Sequence, residues 1–327
     1  MKRRNFLTLL AGAVSAVPLA AVAQDARKLP RIGFLGNSTA TLEANLVGPF
    51  RDGLRDLGYV EGRNILIEYR WAEGAYERLP SLIAELAALK VDVIVTAGTP
   101  AALAVQKANV SIPLVMVAVG DPVGTGLVAS LAHPGRNTTG LTSIAPELEG
   151  KRLELLKEAL PKVARVAVLW NPANAYQIGS EKEVQAAARA LRVSVASLPV
   201  RNRAELDNAF AAIPREHADA LLVLADRLFL HNRERIVDFV TANRLPGMNA
   251  YRELVDAGGL MSFGPSYAVM HRQAATYVDK ILKGAKAGDL PIEQPAKFEL
   301  VINLQTARAL GITIPQSVLL RADEVIQ

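Results

Sequence analysis

The sequence predicts an α/β protein built on parallel sheets, and three observations carry that prediction. Short runs rich in Val, Ile and Leu lie at 31–35, 91–95, 113–119, 166–170 and 221–225. Such runs suit strands buried on both faces. Between them apolar residues recur at three- and four-residue steps: Leu42, Leu46, Phe50, Leu54 and Leu57, then Leu79, Leu82, Ile83, Leu86 and Leu89. That spacing is the stripe of a helix lying on a sheet. Third, the two patterns alternate along the chain as a βαβ series.

Taken in order, the chain opens on an address. Lys2-Arg3-Arg4 is a positive start, and an uncharged apolar or small-residue stretch runs from Phe6 to Ala20. Ala21-Val22-Ala23 fits the small-x-small cleavage rule, so residues 1–23 read as a signal peptide with Gln24 first in the mature chain. Arg3-Arg4-Asn5-Phe6-Leu7 is twin-arginine-like, with Lys2 where that signal often has Ser or Thr. The alternative is an uncleaved anchor, but Gly12, Ser15 and Pro18 interrupt a stretch already near the lower limit for spanning. The expected location is the periplasm.

The body has the size of two domains, at roughly 100–200 residues each. With 50% hydrophobic and 21% charged residues it can fill sizeable cores. The net charge is +5, yet three of the 37 basic residues lie in the signal segment and the rest nearly balance the 32 acids. That argues against a nucleic-acid partner. Cysteine is absent, which excludes disulfides, thiolate metal sites and a cysteine nucleophile. The four histidines are scattered without ligand spacing, so no metal is expected.

Two halves echo each other. Arg31-Ile-Gly-Phe-Leu-Gly-Asn37 aligns with Arg165-Val-Ala-Val-Leu-Trp-Asn171, Val91-Asp-Val-Ile-Val-Thr96 with Ala218-Asp-Ala-Leu-Leu-Val223, and Ile112-Pro113 with Leu245-Pro246. Their common order points to two similar lobes; the alternative is that βαβ units resemble one another generally. Ligands of open parallel sheets sit outside the carboxyl ends of the strands. Two such lobes facing each other therefore make a central cleft lined by strand-end loops.

Those loops supply the candidate ligand-binding residues. Ser38, Thr39 and Thr99 precede helical patterns, and Pro100 follows Thr99. Capping accounts for each hydroxyl singly. Together, helix starts converging on a cleft also suit an anion such as a carboxylate. Asp226 ends a very apolar strand and is either a cap or the counter-ion of a ligand ammonium. Asp121-Pro122 reads first as a turn, and Asn37 and Asn171 as turn residues or ligand donors. Trp170, Phe229, Tyr251, Phe263 and Tyr267 fall at strand ends, with Tyr176 just beyond; a pair of aromatics flanking a ligand would be a recognition feature. No Walker motif, nucleophile elbow, dinucleotide fingerprint or His-containing triad is present, and no cofactor is expected. Binding is favoured over catalysis.

Several longer stretches carry a resemblance. They are Phe50-Arg-Asp-Gly-Leu-Arg-Asp-Leu-Gly-Tyr-Val-Glu-Gly62, Val95-Thr-Ala-Gly-Thr-Pro-Ala-Ala102, Gly120-Asp-Pro-Val123, Gly258-Gly-Leu-Met-Ser-Phe-Gly-Pro265, and the runs 272–284 and 298–315. On these the chain resembles the substrate-binding proteins of ABC importers, in the family that includes tryptophan-importer-like binding proteins. The resemblance implies a type I periplasmic-binding-protein fold, with two Rossmann-like lobes joined by three crossings. It also implies hinge closure on a small ligand and docking to a membrane permease. By the same resemblance Ser38 and Thr99 would hold an amino-acid carboxylate and Asp226 its amine, with aromatic contact from Trp170, Tyr251 or Phe263. Residues 247–252 read Gly-Met-Asn-Ala-Tyr-Arg rather than the family's commoner small-aromatic pattern.

The crossings are expected near 137–143, after Gly264-Pro265, and near 288–295. Lobe one is then 30–142 plus 266–292, and lobe two 143–265 plus 293–327. A helix at 267–283 returns to lobe one, and a monomer is expected. The competing functions are a periplasmic sensor input and an exported α/β enzyme. A transcription regulator would need a DNA-binding segment where the signal peptide stands.

Overall fold

A computed structural model of the chain describes residues 29–143 and 147–327. Residues 1–23, read above as a signal peptide, lie outside the described residues. The first sheet holds β1 (Arg31–Gly36), β2 (Leu66–Trp71), β3 (Val93–Ala97), β4 (Leu114–Val119) and β5 (Thr138–Thr142). Its order is β2-β1-β3-β4-β5, with every pair parallel. Helices α1 (Ala44–Asp56), α2 (Leu79–Ala88) and α3 (Thr99–Lys107) cross between its strands.

The second sheet repeats that winding and extends it. It contains β6 (Arg165–Trp170), β7 (Ser194–Pro199), β8 (Ala220–Val223), β9 (Gly247–Asn249), β10 (Met261–Pro265), β11 (Phe298–Asn303) and β12 (Glu324–Ile326). The order is β12-β11-β10-β9-β8-β6-β7. Around it run α4 (Glu147–Ala159), α5 (Ala175–Leu191), α6 (Arg203–Ala212), α7 (Arg227–His231), α8 (Arg233–Ala242) and α9 (Arg252–Asp256). Helix α10 (Tyr267–Leu282) leaves it, and α11 (Leu304–Leu310) and α12 (Gln316–Leu319) close the chain.

The five apolar runs are β1, β3 and β4, the inner strands of the first sheet, and β6 and β8, two of the five inner strands of the second. β4, Leu-Val-Met-Val-Ala-Val, is buried throughout. The strands that periodicity missed include both first edges. β2 is half-buried along its whole length and β7 is exposed or half-buried except at Ala196, so neither has a continuous apolar run. β11 departs from the parallel expectation by pairing antiparallel with β10. The chain comes back to this sheet from the far side of α10, so it runs down beside β10 rather than up.

The echo between the halves extends to hydrogen bonds. The Arg31 amide donates to Asp92 Oδ2 at 2.7 Å, and the Arg165 amide to Asp219 Oδ2 at 2.8 Å. The Asn37 amide donates to Glu43 Oε1 at 2.9 Å, and the Asn171 amide to Gln177 Oε1 at 2.5 Å, six residues on in both cases.

Helix α10 leaves β10 and packs against α1 of the first sheet. A Cβ on Gly53 would run into the Arg272 carbonyl, so glycine lets the two helices approach closely. Tyr59 donates to Asp279 at 2.9 Å and Tyr277 to the Pro291 carbonyl at 3.0 Å, tying the returning helix down. Among the described residues, no helix is long and apolar enough to cross a membrane.

Candidate functional site

The carboxyl ends of the two sheets face each other across a narrow gap with about 10 Å³ of free volume, room for a water-sized group. Gly98, Thr99, Pro100, Ala118, Gly120 and Ser143 wall it from the first sheet, following β3, β4 and β5. Asn174, Tyr176, Ala225, Asp226, Arg227, Tyr251 and Tyr267 wall it from the second. Each comes at or just beyond a strand end, where a parallel sheet leaves its loops free to carry polar groups.

Five of the expected residues meet here: Thr99, Asp226 and Tyr251, with the strand-end aromatics Tyr176 and Tyr267. Thr99 is the first residue of α3 rather than its cap, because Gly98, at φ 80°, takes the cap position. Thr99 Oγ1 instead bridges to Gly120, accepting its amide at 3.1 Å. Asp226 caps α7, accepting the Leu228 amide at 2.8 Å. It also accepts from Tyr76 Oη at 2.7 Å, Asn174 Nδ2 at 2.8 Å and Asn171 Nδ2 at 3.3 Å. Burial pushes its carboxyl up, and these four donors pull it back. Tyr76 comes from a turn after β2, so the Tyr76–Asp226 bond joins the two sides of the cleft.

The other expected residues are placed elsewhere. Ser38 is buried behind the wall: its amide binds Glu43 Oε1 at 2.7 Å and its hydroxyl lies 2.6 Å from His231 Nδ1. It does not cap α1, whose cap position is Glu43. Thr39 Oγ1 accepts the Leu42 amide at 3.3 Å. The Asn37 side chain donates to the Ala97 carbonyl at 2.8 Å, fastening β1 to β3. Asn171 supports Asp226 from beneath. Asp121, at φ 38°, closes a turn by accepting the Gly124 amide at 2.8 Å. Trp170 Nε1 donates to Ser197 on β7, and Phe263 packs on Phe298; neither lines the space.

Sequence reasoning missed the basic side of the site. Arg227 is buried against Tyr251 and Tyr267, with Cζ 5.6 and 5.2 Å from their ring centroids, within cation–π range. The two rings lie 4.7 Å apart at 42°. Burial holds the Tyr267 hydroxyl at about 12, against the pull of Arg152 and Arg227. Beneath them the buried pair Arg152–Glu149, 2.6 Å apart, links α4 to β10, because Arg152 Nε also donates to the Phe263 carbonyl at 2.6 Å. A signal for Arg227 was available: a cation directly after the last residue of an apolar strand end.

Comparison with known proteins agrees with this geometry. The family model described as ABC transporter substrate binding protein matches residues 40–326. A tyrosine-binding protein of Clostridioides difficile (strain R20291) is 29% identical over 266 residues, covering 80% of this chain and 75% of that one. The structure of an ABC domain in complex with L-Trp from Streptococcus pneumonia has a TM-score of 0.84 and 27% identity, over 91% of this chain and all of that one. A ligand-free, open substrate binding protein with adhesive properties from Clostridium difficile has a TM-score of 0.63 and 25% identity over the same shares. The family is one of solute-binding proteins and not of enzymes. By its matched residues, its paired sheets and its cleft, this chain belongs to the ABC transporter substrate binding protein family, on the type I periplasmic-binding-protein fold.

Proposed function

We propose that the chain is the exported solute receptor of an ABC importer. It captures a small amino-acid-like ligand between its lobes and hands it to permease subunits in the inner membrane. One observation carries this: a single space is walled by strand-end loops of both sheets, so a ligand there touches both sides at once. Thr99, Asp226 and Tyr251 are the ligand-facing residues. Lobe one is 30–142 plus 266–292, lobe two is 143–265 plus 293–327, and they turn about the three crossings as hinged bodies. The similarity is greater to the chain holding L-Trp than to the open chain, as suits a closed cleft. Tyrosine and tryptophan, named for the relatives, are the first probes.

Export precedes capture. Residues 1–23 direct the chain out of the cytoplasm by the twin-arginine route, are removed before Gln24, and leave a periplasmic monomer.

The test is mass spectrometry of whatever the purified protein releases on denaturation, followed by thermal unfolding with each amino acid. A ligand at 100 times its Kd adds about 2.7 kcal/mol of stability. If no released compound and no amino acid raises the unfolding temperature, the receptor reading fails. N-terminal sequencing of exported protein checks the cleavage site. Replacing Arg3 and Arg4 by Lys tests the route, since unchanged export would exclude it.

A further inference from the structure

Arg227 follows Asp226 at the end of β8, and its guanidinium lies between the lobes. The residue is 3% exposed, and Nε, Nη1 and Nη2 are buried without a protein hydrogen-bond partner. Arginine keeps its charge in a protein, so five N–H donors are held dry beside the cleft. An uncompensated buried charge is among the costliest things a fold can hold.

Two tyrosine rings and two carboxylates act on that charge from a distance, but no hydrogen bond or ion pair answers it. A Cβ on Gly98 would stand 3.2 Å from Arg227 Cγ and 3.8 Å from Nε, so the side chain reaches the start of α3 on the opposite lobe. Gly98 provides no side-chain cap there, and a helix start adds positive potential of its own. Glu43 and Glu253 act on Arg227 through space without closing to an ion pair. Their Oε1 atoms are engaged by the Asn37 and Ser38 amides and by Asn45 Nδ2. On the other side Asp226 already accepts four donors.

We propose that Arg227 and the start of α3 form the seat of a ligand carboxylate, so that the cleft selects small carboxylic acids by their acid group and not by an amino group. This rests on the receptor reading above and refines its ligand class. In an open cleft the guanidinium is hydrated. Closing sets Gly98 against it and strips that water, which is unfavourable until an anion replaces it. A carboxylate therefore binds the closed form better and shifts the population toward it.

Three probes sharing one ring test this by calorimetric titration of the mature protein: L-tyrosine, 3-(4-hydroxyphenyl)propanoate and tyramine. The expected result is that both acids bind, within about 10-fold of each other, and that tyramine binds at least about 30-fold more weakly, as for a lost desolvated charge partner. Arg227→Met should weaken both acids by at least about 30-fold, with Arg227→Lys in between. Tyramine binding as tightly as L-tyrosine overturns the seat, as does Arg227→Met with unchanged affinity for either acid. Small-angle scattering adds a readout that needs no ligand. Ligand-free Arg227→Met should have a smaller radius of gyration than ligand-free wild type, and equal radii overturn the proposal. If no amino acid and no deaminated acid binds, the receptor reading fails and the seat falls with it. If a compound binds indifferently to Arg227, only the seat fails.

Discussion

The ring of Tyr176 lies directly against Gly120: a Cβ built on Gly120 would stand 2.5 Å from both Cγ and Cδ2 of the tyrosine. Tyr176 opens α5 on the second sheet, and Gly120 follows β4 on the first. The arrangement recurs twice across the cleft. His231 lies against Gly74 and Arg227 against Gly98, and both glycines have positive φ. Three loops of one lobe thus offer a bare backbone to three side chains of the other, which lets the lobes approach more closely than any residue with a Cβ would permit.

Gly120→Ala should therefore obstruct closure while leaving each lobe folded. Overpacking a tight contact costs ~1–3 kcal/mol, here in the closed form alone, which converts to about 5- to 150-fold weaker binding. Calorimetry with L-tyrosine and scattering of the saturated variant check this. A variant that binds and contracts like wild type would show that the contact does not limit closure.

Tyr76→Phe removes a buried hydrogen bond to Asp226 that spans the lobes. Such a bond contributes ~0.5–1.5 kcal/mol, so affinity should fall about 2- to 12-fold. Circular dichroism of the ligand-free protein should be unchanged, because the remaining donors still hold Asp226.

His271 gives the fold an acid limit. Burial, then the charge of Arg227, lowers its pKa from 6.5 to about 3. Its Nδ1 lies 2.7 Å from the Tyr267 carbonyl, which can only accept, so that nitrogen carries the proton of the neutral ring. Above pH 6.5 both folded and unfolded states hold it neutral, and it costs nothing. Below that pH the unfolded chain takes up a proton that the folded chain refuses. Stability then falls by about 1.4 kcal/mol per pH unit until the folded group titrates. His231, also lowered, acts in the same direction more weakly because it is half-buried. Urea unfolding at a series of pH values from 7 to 4 should show this slope, and His271→Gln should reduce it.

Arg152→Met leaves Glu149 as an uncompensated charge in the second lobe, where both residues are essentially unexposed. Breaking such a pair costs ~3–5 kcal/mol, whereas replacing both members is often neutral or better. Denaturant unfolding should show a large loss for Arg152→Met and recovery when Glu149→Leu is added. If the double variant is no more stable than the single, the pair is not the cause.

The sequence by itself determined the α/β class, the inner strands of the first sheet and β6 and β8 of the second, helices α1 and α2, and the duplication of the halves. These are local properties. A strand buried on both faces must be apolar throughout, and a helix on a sheet must repeat its apolar residues every turn, whatever the rest of the chain does. It also located the strand-end loops, and with them Thr99, Asp226 and Tyr251. Only the tertiary structure decided which loop side chains face the cleft. Past the end of a strand, side-chain direction is set by groups distant in sequence. Ser38 turns to His231, 193 residues away, and Asp226 receives Tyr76 from 150 residues away. Trp170 and Phe263, apolar enough to suggest recognition, pack on Ser197 and Phe298 instead. The position of Arg227 at an apolar strand end could be read in the sequence, but its burial could not: a surface arginine and a buried one without a partner are the same letter, and only the approach of Gly98, Tyr251 and Tyr267 distinguishes them.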